Sequence, residues 1–287
     1  MAEPEYSVYD FKNYRYQLGS VQEVGNIYPK YYLKAFYDGM TAEGDTMPIS
    51  LIRSAWAGSA KYGALVWSGD IVSTFECFRR QVQAGLNMAI AGIPWWTTDI
   101  GGFHGARTDD PDFHRLYIRW FEYGCFCPVM RLHGNRNPQE GYGAEQIGSG
   151  SDNEIWSFGD KAYEISKKYI FLRERLRDYI RTQMKKAHED GTPMMRPVFY
   201  DFPTDQESWN VEDAYLFGPD LYVAPVMEDH VTEREVYLPD GTAWFNAWTG
   251  EKYEGGQNVT VAAPLDTIPV FVKEGADAEK LLNIFSE

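Results

Sequence analysis

Four polar side chains that could take part in catalysis lie at the ends of short apolar runs in the sequence. They are Arg53, Asp70, Asp99 and His133. Asp70 follows Trp67 closely, and an indole ring beside a carboxyl group would desolvate it and raise its pKa. A general acid that works near neutral pH needs such a raised pKa. The arrangement predicts acid–base chemistry at Asp70.

Aromatic residues beside these groups indicate the kind of ligand. Asp99 comes just after Trp95 and Trp96, and Phe103 follows two glycines that let the backbone turn closely. Aromatic rings stack on the apolar faces of pyranose sugars, while carboxylates and arginine hold the hydroxyl groups. The pattern therefore favours a sugar pocket. Another interpretation stays open at this point, in which Asp70 and Asp99 cap the helices that follow and the tryptophans belong to the core.

Apolar runs alternate with helical patterns between residues 48 and 133, which is typical of βα units. The runs cover residues 48–56, 63–67, 88–96 and 126–132. The helix after the second run is predicted to start with a capping box of Ser73 and Glu76 and to end at Gly85. Because polar residues close each run, they fall at the carboxyl ends of strands, where parallel α/β folds build their sites.

The rest of the chain follows a different pattern. Residues 134–154 are rich in Gly, Asn, Ser and Pro and predict a loop over the rim of the site. One long helix is predicted from the helical spacing of apolar residues between Ile165 and Met184. Beyond about residue 195, short strands and turn residues indicate a small antiparallel β domain. Those strands are predicted at residues 222–226, 235–238, 259–262 and 269–272.

The composition excludes several classes of protein. Lys and Arg number 27 against 42 Asp and Glu, and the resulting net charge of −15 excludes a surface that follows nucleic-acid phosphates. Of the 287 residues, 44% are hydrophobic and 16% aromatic, so the chain can bury a large core and is not disordered. No apolar stretch approaches the ~20 residues of a membrane span, so no membrane partner is predicted. The cellular compartment stays unassigned.

The cysteines predict neither a disulfide nor a metal site. Cys77, Cys125 and Cys127 are odd in number, and a Cys-x-Cys pair without a second pair is a poor zinc signal. The two thiols of this pair are therefore predicted to lie in the core.

Longer strings in the chain resemble one enzyme family. The segments that carry the resemblance are RSAWAGSAKYGALVWSGDI, GLNMAIAGIPWWTTDIGGFHG and RWFEYGCFCPVMRLHG, followed by FLRERLRDYI, GTPMMRPVFYDFP and DAYLFGPDLYVAPV. They closely resemble the retaining α-glycosidases of glycoside hydrolase family 31, and the α-xylosidase and α-glucosidase members look most similar. The likeness covers nearly the whole chain.

The resemblance implies a fold and a division of the chain. The family fold is an α/β (β/α)₈ TIM barrel followed by β-sandwich domains. Residues 1–198 are expected to form the C-terminal half of the barrel, strands 5 to 8, and residues 199–287 a small antiparallel β-sandwich domain.

The resemblance also implies roles for the candidate residues. Asp70 closes the WSGD motif and matches the general acid/base of the family. The residues matching those that hold the sugar in the −1 subsite are Arg53, Trp67, Asp99, Phe103 and His133. His133 would hydrogen-bond sugar hydroxyls, and neither a metal nor a cofactor is implied.

The nucleophile of the family has no match in this chain. In family members an aspartate in a W-x-D motif ends barrel strand 4, a few residues before a segment like residues 2–5. Glu3, Glu5 and Asp10 are the acidic residues nearby, and none matches the nucleophile. The nucleophile and strands 1 to 4 are therefore expected upstream of Met1. A half barrel with two open edges is expected to self-associate or to be completed by an N-terminal half barrel.

The predicted function is that of a retaining α-glycosidase acting on terminal non-reducing α-linked sugars of oligosaccharides or glycosides, incomplete as a catalyst on its own. Xylose and glucose stay open as the sugar, and α-glucan lyases share the family. Two alternatives stay open as well: a non-catalytic carbohydrate-binding or assembly module, and one chain of a split enzyme.

Overall fold

The computed structural model describes residues 11–136, 151–275 and 277–286 of the chain. Glu3, Glu5 and Asp10, the acidic residues near the expected nucleophile segment, lie outside the described residues, as does most of the predicted rim loop. The first elements are β1 (Arg15–Tyr16), β2 (Gly19–Ser20), α1 (Val21–Val24) and α2 (Tyr28–Ala42). The strands β1 and β2 pair with each other in antiparallel orientation.

A parallel sheet follows, as the alternating pattern predicts. Its strands are β3 (Ser50–Ile52), β4 (Ala64–Trp67) and β5 (Trp96–Thr97), with β4 in the middle. Helix α3 (Phe75–Ile90) connects β4 to β5, and α4 (Pro111–Cys125) follows β5. The β4–α3–β5 crossover between parallel strands confirms a βα unit after the second apolar run. The third run, residues 88–96, is only in part a strand, because α3 continues to Ile90 and β5 begins at Trp96.

The fourth run, residues 126–132, does not form the predicted strand. It lies beside β5 and makes two backbone hydrogen bonds there, from Val129 N–H to the Trp96 carbonyl and from Ile100 N–H to the Arg131 carbonyl. Pro128, which has no N–H to donate, interrupts any longer ladder. The segment keeps the position of a strand without its regular pairing.

Helix α3 begins one residue later than predicted. Thr74 is the N-cap, and its hydroxyl accepts a hydrogen bond from the N–H of Cys77 at 3.1 Å. Ser73 instead donates its backbone N–H to the carbonyl of His104, which ties it to the neighbouring turn. The predicted capping box of Ser73 and Glu76 is therefore wrong, because a long-range contact holds Ser73 outside the helix.

Gly85 does not end α3 but lies inside it, buried against β5. A Cβ atom at this position would come within 2.6 Å of Nε1 of Trp96. Gly85 thus serves close packing between the helix and the sheet, and the helix runs on to Ile90.

The predicted long helix is two helices, α5 (Gly159–Arg175) and α6 (Arg177–Glu189). They meet at Leu176, which is fully buried and ends the regular geometry of the first helix. Apolar spacing continues across the break because both sides of Leu176 face the same core, so the sequence pattern alone does not reveal it.

The remaining strands form two antiparallel sheets, and two helices accompany them. In chain order the elements are β6 (Met195–Arg196), α7 (Val198–Asp201), β7 (Tyr215–Phe217), β8 (Leu221–Val223), β9 (Glu233–Leu238), β10 (Ala243–Asn246), β11 (Lys252–Glu254), β12 (Gln257–Ala262), β13 (Val270–Lys273) and α8 (Ala278–Ser286). Six strands pair in the order β11-β10-β13-β8-β7-β6, and β9 pairs with β12 in a second sheet. The predicted antiparallel β region is confirmed, whereas its boundary after residue 198 stays a prediction.

Each face of the six-stranded sheet has its own core. One face packs on β9 and β12 through a cluster that includes Trp244, Val236 and Val261. The opposite face packs on the helical part of the chain, where the rings of Phe126 and Phe217 lie 5.8 Å apart. Alternating side chains of a strand point to opposite faces, so one sheet can serve both cores.

Buried polar contacts also join the two parts. The guanidinium of Arg119, on α4, donates to backbone carbonyls beyond β8 and β12. The acceptors are the carbonyls of Val231, Ala263, Pro264 and Thr267. At the end of α4, Cys125 and Cys127 are buried free thiols, as predicted, while Cys77 is only half-buried on α3.

Candidate active site

The carboxyl edge of the parallel sheet brings most of the predicted residues together. Asp99 follows β5 and is fully buried. Its N–H donates to the hydroxyl of Ser68 at 3.3 Å, which joins it to the turn after β4. The preceding Thr98 accepts a hydrogen bond at 2.8 Å from the indole N–H of Trp120 on α4. Strand, neighbouring turn and helix therefore all fix the backbone at Asp99.

The Asp99 carboxylate has one paired oxygen and one open oxygen. Arg131 donates from Nη1 to Oδ1, while Oδ2 has no hydrogen-bond partner among the described residues. Burial raises the pKa of Asp99 to about 6, with Arg131 opposing the rise and the nearby charge of Asp70 adding to it. The open Oδ2 is thus a buried acceptor that a ligand hydroxyl could satisfy.

Asp70 is exposed, in contrast to the expectation that Trp67 would desolvate it. Trp67 is itself only half-buried, so it does not close over the carboxylate. Between them lies Gly69, whose φ of +75° turns the chain outward at the end of β4. Asp70 nevertheless lies close enough to Asp99 to influence its titration, and it acts in the same way on His133.

Neither aspartate caps a helix. The N-cap of α3 is Thr74, and the N-cap of α4 is Asp110, whose side chain accepts from the N–H of Asp112. The interpretation of Asp70 and Asp99 as helix caps is therefore wrong. The same interpretation places the tryptophans in the core, and this is confirmed for Trp96, which is 4% exposed.

Phe103 and His133 lie side by side at the mouth of the site. Their ring centroids are 5.4 Å apart, and the Phe103 carbonyl accepts a hydrogen bond from the N–H of Asn135. His133 is exposed. Partial desolvation and the positive charges of Arg131 and Arg136 lower the pKa of His133, which favours the neutral imidazole. A neutral ring can both donate to and accept from a hydroxyl group.

Arg53 follows β3 at the same edge. The parallel register sets Ile52 beside Val66 and Val66 beside Trp96, so the residues after these positions share one end of the sheet. Arg53 is exposed, and no hydrogen bond or ion pair links it to the other candidates within the described part of the chain. The structure thus brings Asp70, Asp99, Phe103 and His133 together and places Arg53 and Trp67 at the rim.

Two arginines of the site escape prediction from the sequence. Arg131 pairs with Asp99, and Arg136 lies buried behind the turn that links Asp99 to Phe103. Both flank His133 in the string RLHGNR. Two arginines within six residues of a chain with net negative charge indicate a buried or paired role for them. The local sequence does not show which carboxylate or carbonyl they contact.

Comparison with known proteins decides the family. Residues 1–183 match the Glycosyl hydrolases family 31 TIM-barrel domain, and residues 191–276 match the Glycosyl hydrolase family 31 C-terminal domain. The chain belongs to glycosyl hydrolase family 31. The resemblance found in the sequence is confirmed, together with a TIM-barrel-type domain and a C-terminal domain that contains an antiparallel sheet.

Several family 31 relatives are similar over almost all of this chain. The α-xylosidase of Saccharolobus solfataricus is 38% identical over 260 residues, which cover 91% of this chain and 34% of the relative. A GH31 α-xylosidase from a soil metagenome, solved in complex with xylose, is 56% identical with a TM-score of 0.90 over 97% of this chain and 42% of its own. A GH31 dextranase of Flavobacterium johnsoniae, complexed with glucose, is 33% identical with a TM-score of 0.83 over 94% of this chain and 32% of its own.

This family 31 chain therefore spans between 32% and 42% of the length of those relatives. Within the described ranges, no group of three or more His, Cys, Asp or Glu side chains is arranged to hold a metal ion. No helix in those ranges is both long and apolar enough to cross a membrane.

Proposed function

We propose that this chain is the acid/base and sugar-binding part of a retaining α-glycosidase with α-xylosidase or α-glucosidase activity. One observation carries the proposal: the buried Asp99, with its open Oδ2, lies close to the exposed Asp70 at the carboxyl edge of a parallel sheet. Support comes from the 56% identity to an α-xylosidase whose structure contains xylose. The substrate is a terminal α-linked sugar of an oligosaccharide or glycoside.

Asp70 acts as the general acid/base. Its exposed carboxylate, on a turn shaped by Gly69, can approach a glycosidic oxygen that enters from solvent and protonate the leaving group. The retaining mechanism needs a second carboxylate about 5 to 5.5 Å away as the nucleophile. We assign that carboxylate to the part of the family barrel that this chain does not span, so the chain by itself lacks turnover.

The sugar is held by Arg53, Trp67, Asp99, Phe103 and His133. Oδ2 of Asp99 accepts a hydrogen bond from a sugar hydroxyl, because this oxygen is buried without a partner in the described residues. The ring of Phe103 offers an apolar face, and the neutral His133 beside it hydrogen-bonds a further hydroxyl. Arg53 and Trp67 complete the rim at the ends of β3 and β4.

Residues 1–198 act as half of a (β/α)₈ barrel and residues 199–287 as the proximal β-sandwich domain. In the described chain β3 is an edge strand, and apolar side chains on β3, just before it and on α2 are exposed. They are Phe36, Met40, Met47, Ile49 and Leu51. We assign this surface to contact with the N-terminal half of the barrel, with self-association as its replacement when that half is absent.

The test joins this chain to the N-terminal barrel half of the soil-metagenome α-xylosidase. We expect the fusion to hydrolyse p-nitrophenyl α-xyloside or α-glucoside with retention of configuration, measured by NMR of the first-formed sugar. On an alkyl xyloside or glucoside, whose departure needs protonation, Asp70→Asn should lose most of this activity, whereas Asp160→Asn, a change at an exposed aspartate on α5, should not.

Other outcomes would favour the alternatives. A folded fusion that binds xylose or glucose but releases no p-nitrophenol would indicate a carbohydrate-binding module. Release of an anhydro sugar would indicate a lyase. Hydrolysis by this chain alone would contradict the assignment of the nucleophile to the rest of the barrel.

A further inference from the structure

A buried arginine lies behind the turn that carries Asp99 and Phe103. Arg136 is only 1% exposed. Its Nη1 donates to the carbonyl of Gly102 at 2.8 Å, and its Nη2 donates to the carbonyl of Ile100 at 3.0 Å. Both acceptors belong to the five-residue turn from Asp99 to Phe103, so one guanidinium clamps the backbone of the turn at two points.

The same side chain reaches two other segments. Nε donates to Oδ1 of Asn153 at 2.8 Å, and Nη1 also lies 3.5 Å from Oγ of Ser73, just before α3. The guanidinium carbon lies 4.7 Å from the ring centroid of Phe113 on α4. Arg136 therefore joins the turn to the start of two helices and to the segment beyond residue 150.

All of these hydrogen-bond partners are neutral. A guanidinium without a carboxylate partner is costly to bury, and desolvation lowers the pKa of Arg136 to about 10. The planar fork of arginine can satisfy two carbonyls of one turn at once, which the single ammonium of lysine cannot do in the same way. This geometry explains why the fold accepts the cost of burying the charge here.

Two glycines leave the room that the guanidinium occupies. A Cβ at Gly101 would come within 3.0 Å of Nη2 of Arg136, and a Cβ at Gly134 within 2.5 Å of its guanidinium carbon. Gly101 also has a φ of +85°, which a residue with a side chain rarely adopts. The turn and the His133 segment are thus both shaped around this one side chain.

The backbone beside Arg136 carries His133. Asn135 N–H donates to the Phe103 carbonyl at 2.9 Å, and the Arg136 carbonyl accepts from Ser151 N–H at 3.0 Å. The segment that presents His133 and the turn that presents Asp99 and Phe103 are therefore cross-linked through Arg136 and its neighbour.

We propose that Arg136 is a positioning residue of the sugar-binding site, which sets Asp99, Phe103 and His133 at fixed distances from one another without touching the sugar. The link to sugar rests on the proposed function of these three residues. Without the guanidinium, the carbonyls of Ile100 and Gly102 lose their donor and the turn can shift. A displacement of about 1 Å in a positioned group can cost on the order of 10²-fold in rate.

The experiment compares Arg136→Ala with Arg196→Ala. Arg196 is a control for the loss of a buried arginine, because it is 3% exposed and lies on β6, where it donates to the carbonyl of Pro193 and pairs with Asp201. Hydrogen exchange of the full 287-residue chain should show faster exchange at the amides of residues 102–104 in Arg136→Ala only. In the fusion enzyme, kcat/KM should fall about 10²-fold for Arg136→Ala, mainly through KM, because the sugar contacts form before the transition state.

Chemical rescue separates positioning from general destabilisation. Guanidinium ions at millimolar concentration should restore the protection of residues 102–104 in Arg136→Ala and lower its KM most of the way to the value of the unsubstituted enzyme. They should leave Arg196→Ala unchanged. Should Arg136→Ala fail to fold, Arg136→Lys keeps the charge without the fork and should show the same exchange difference.

Two outcomes bear on different claims. Equal exchange at residues 102–104 and equal KM in the Arg136 and Arg196 variants would overturn the positioning role. A fusion that hydrolyses neither glycoside before any substitution would overturn the proposed function, while the exchange comparison would still decide whether Arg136 holds the turn.

Discussion

Arg131 and Asp99 form an ion pair across 32 residues of sequence, in which a side chain that is 24% exposed meets a carboxylate that is fully buried. Arg131 binds Oδ1, while Oδ2 is buried without a hydrogen-bond partner among the described residues. Arg131 therefore orients the Asp99 carboxylate and favours its charged form, whereas burial alone would favour the neutral acid.

The acid role of Asp70 predicts a dependence on the leaving group. In the fusion enzyme, Asp70→Ala should remove most activity on xylosides or glucosides with poor leaving groups, by about 10² to 10⁴-fold. Activated aryl glycosides should lose much less, because their departure needs little protonation. Steady-state rates on an alkyl and a nitrophenyl glycoside provide the comparison. Equal losses on both would mean that Asp70 binds the sugar or supports the fold instead.

The raised pKa of Asp99 predicts that the contribution of this residue to stability falls as the pH rises from about 4 to about 6. In this window the native state keeps a proton that the unfolded chain has released, so unfolding becomes easier with increasing pH and levels off above 6. Compared with Asp99→Asn, the unsubstituted chain should lose roughly 3 kcal/mol over this range. Urea unfolding between pH 4 and 7 measures the difference. Parallel curves for the two proteins would show that Asp99 titrates normally.

Arg119 and Glu122 form a buried pair on α4, in which Arg119 Nη1 donates to Oε2 of Glu122 at 3.2 Å, and the two residues are predicted to differ in their effect on stability. Burial raises the pKa of Glu122 to about 8, so it is largely protonated at pH 7 and Glu122→Gln should change stability little. Arg119→Met should cost about 3 to 5 kcal/mol, because buried carbonyls of the β part lose their donor. Denaturant unfolding of both variants at pH 7 checks this order. A larger loss for Glu122→Gln would mean that the carboxylate is charged and is the dominant partner.

The packing of Gly85 predicts that a normally stabilising change becomes harmful. Gly→Ala inside a helix usually gains up to about 1 kcal/mol. Gly85→Ala should instead lose about 1 to 3 kcal/mol, because the new Cβ would lie 2.6 Å from Trp96. Gly39→Ala, inside α2 with no atom within 4 Å of the new Cβ, is the matched control and should be neutral or stabilising. Thermal unfolding measures the Tm of the two variants. A higher Tm for both of them would contradict the packing role of Gly85.

Features set by neighbouring residues could be predicted from the sequence. The apolar runs that end in Asp70 and Asp99 indicate strand ends, because the hydrophobic period and the glycine turns are local. Features set by distant contacts could not. Ser73 fits a capping box in sequence, yet its N–H is taken by His104 across the site.

The exposure of Asp70 escaped prediction for a similar reason. Whether Trp67 covers it depends on the angle at which the chain leaves β4, and a residue pattern does not encode that angle. Likewise, the partners of Arg136 at Ile100 and Gly102 are backbone carbonyls, which every residue possesses and no side-chain type reveals.

Arg119 recognises only main-chain oxygens of the β part, so its contact depends on the path of two loops and not on their side chains. As far as the Arg119 contact is concerned, the side chains around Ala263 and Thr267 can change while this contact between the two parts is retained. A C-terminal part taken from another family member could keep the Arg119 contact, provided that its loops follow the same course and that a carboxylate takes the place of Asp229, which pairs with Arg115 of α4. Substitutions that bend those loops, above all at Pro264, would break the Arg119 contact even though they touch no charged group.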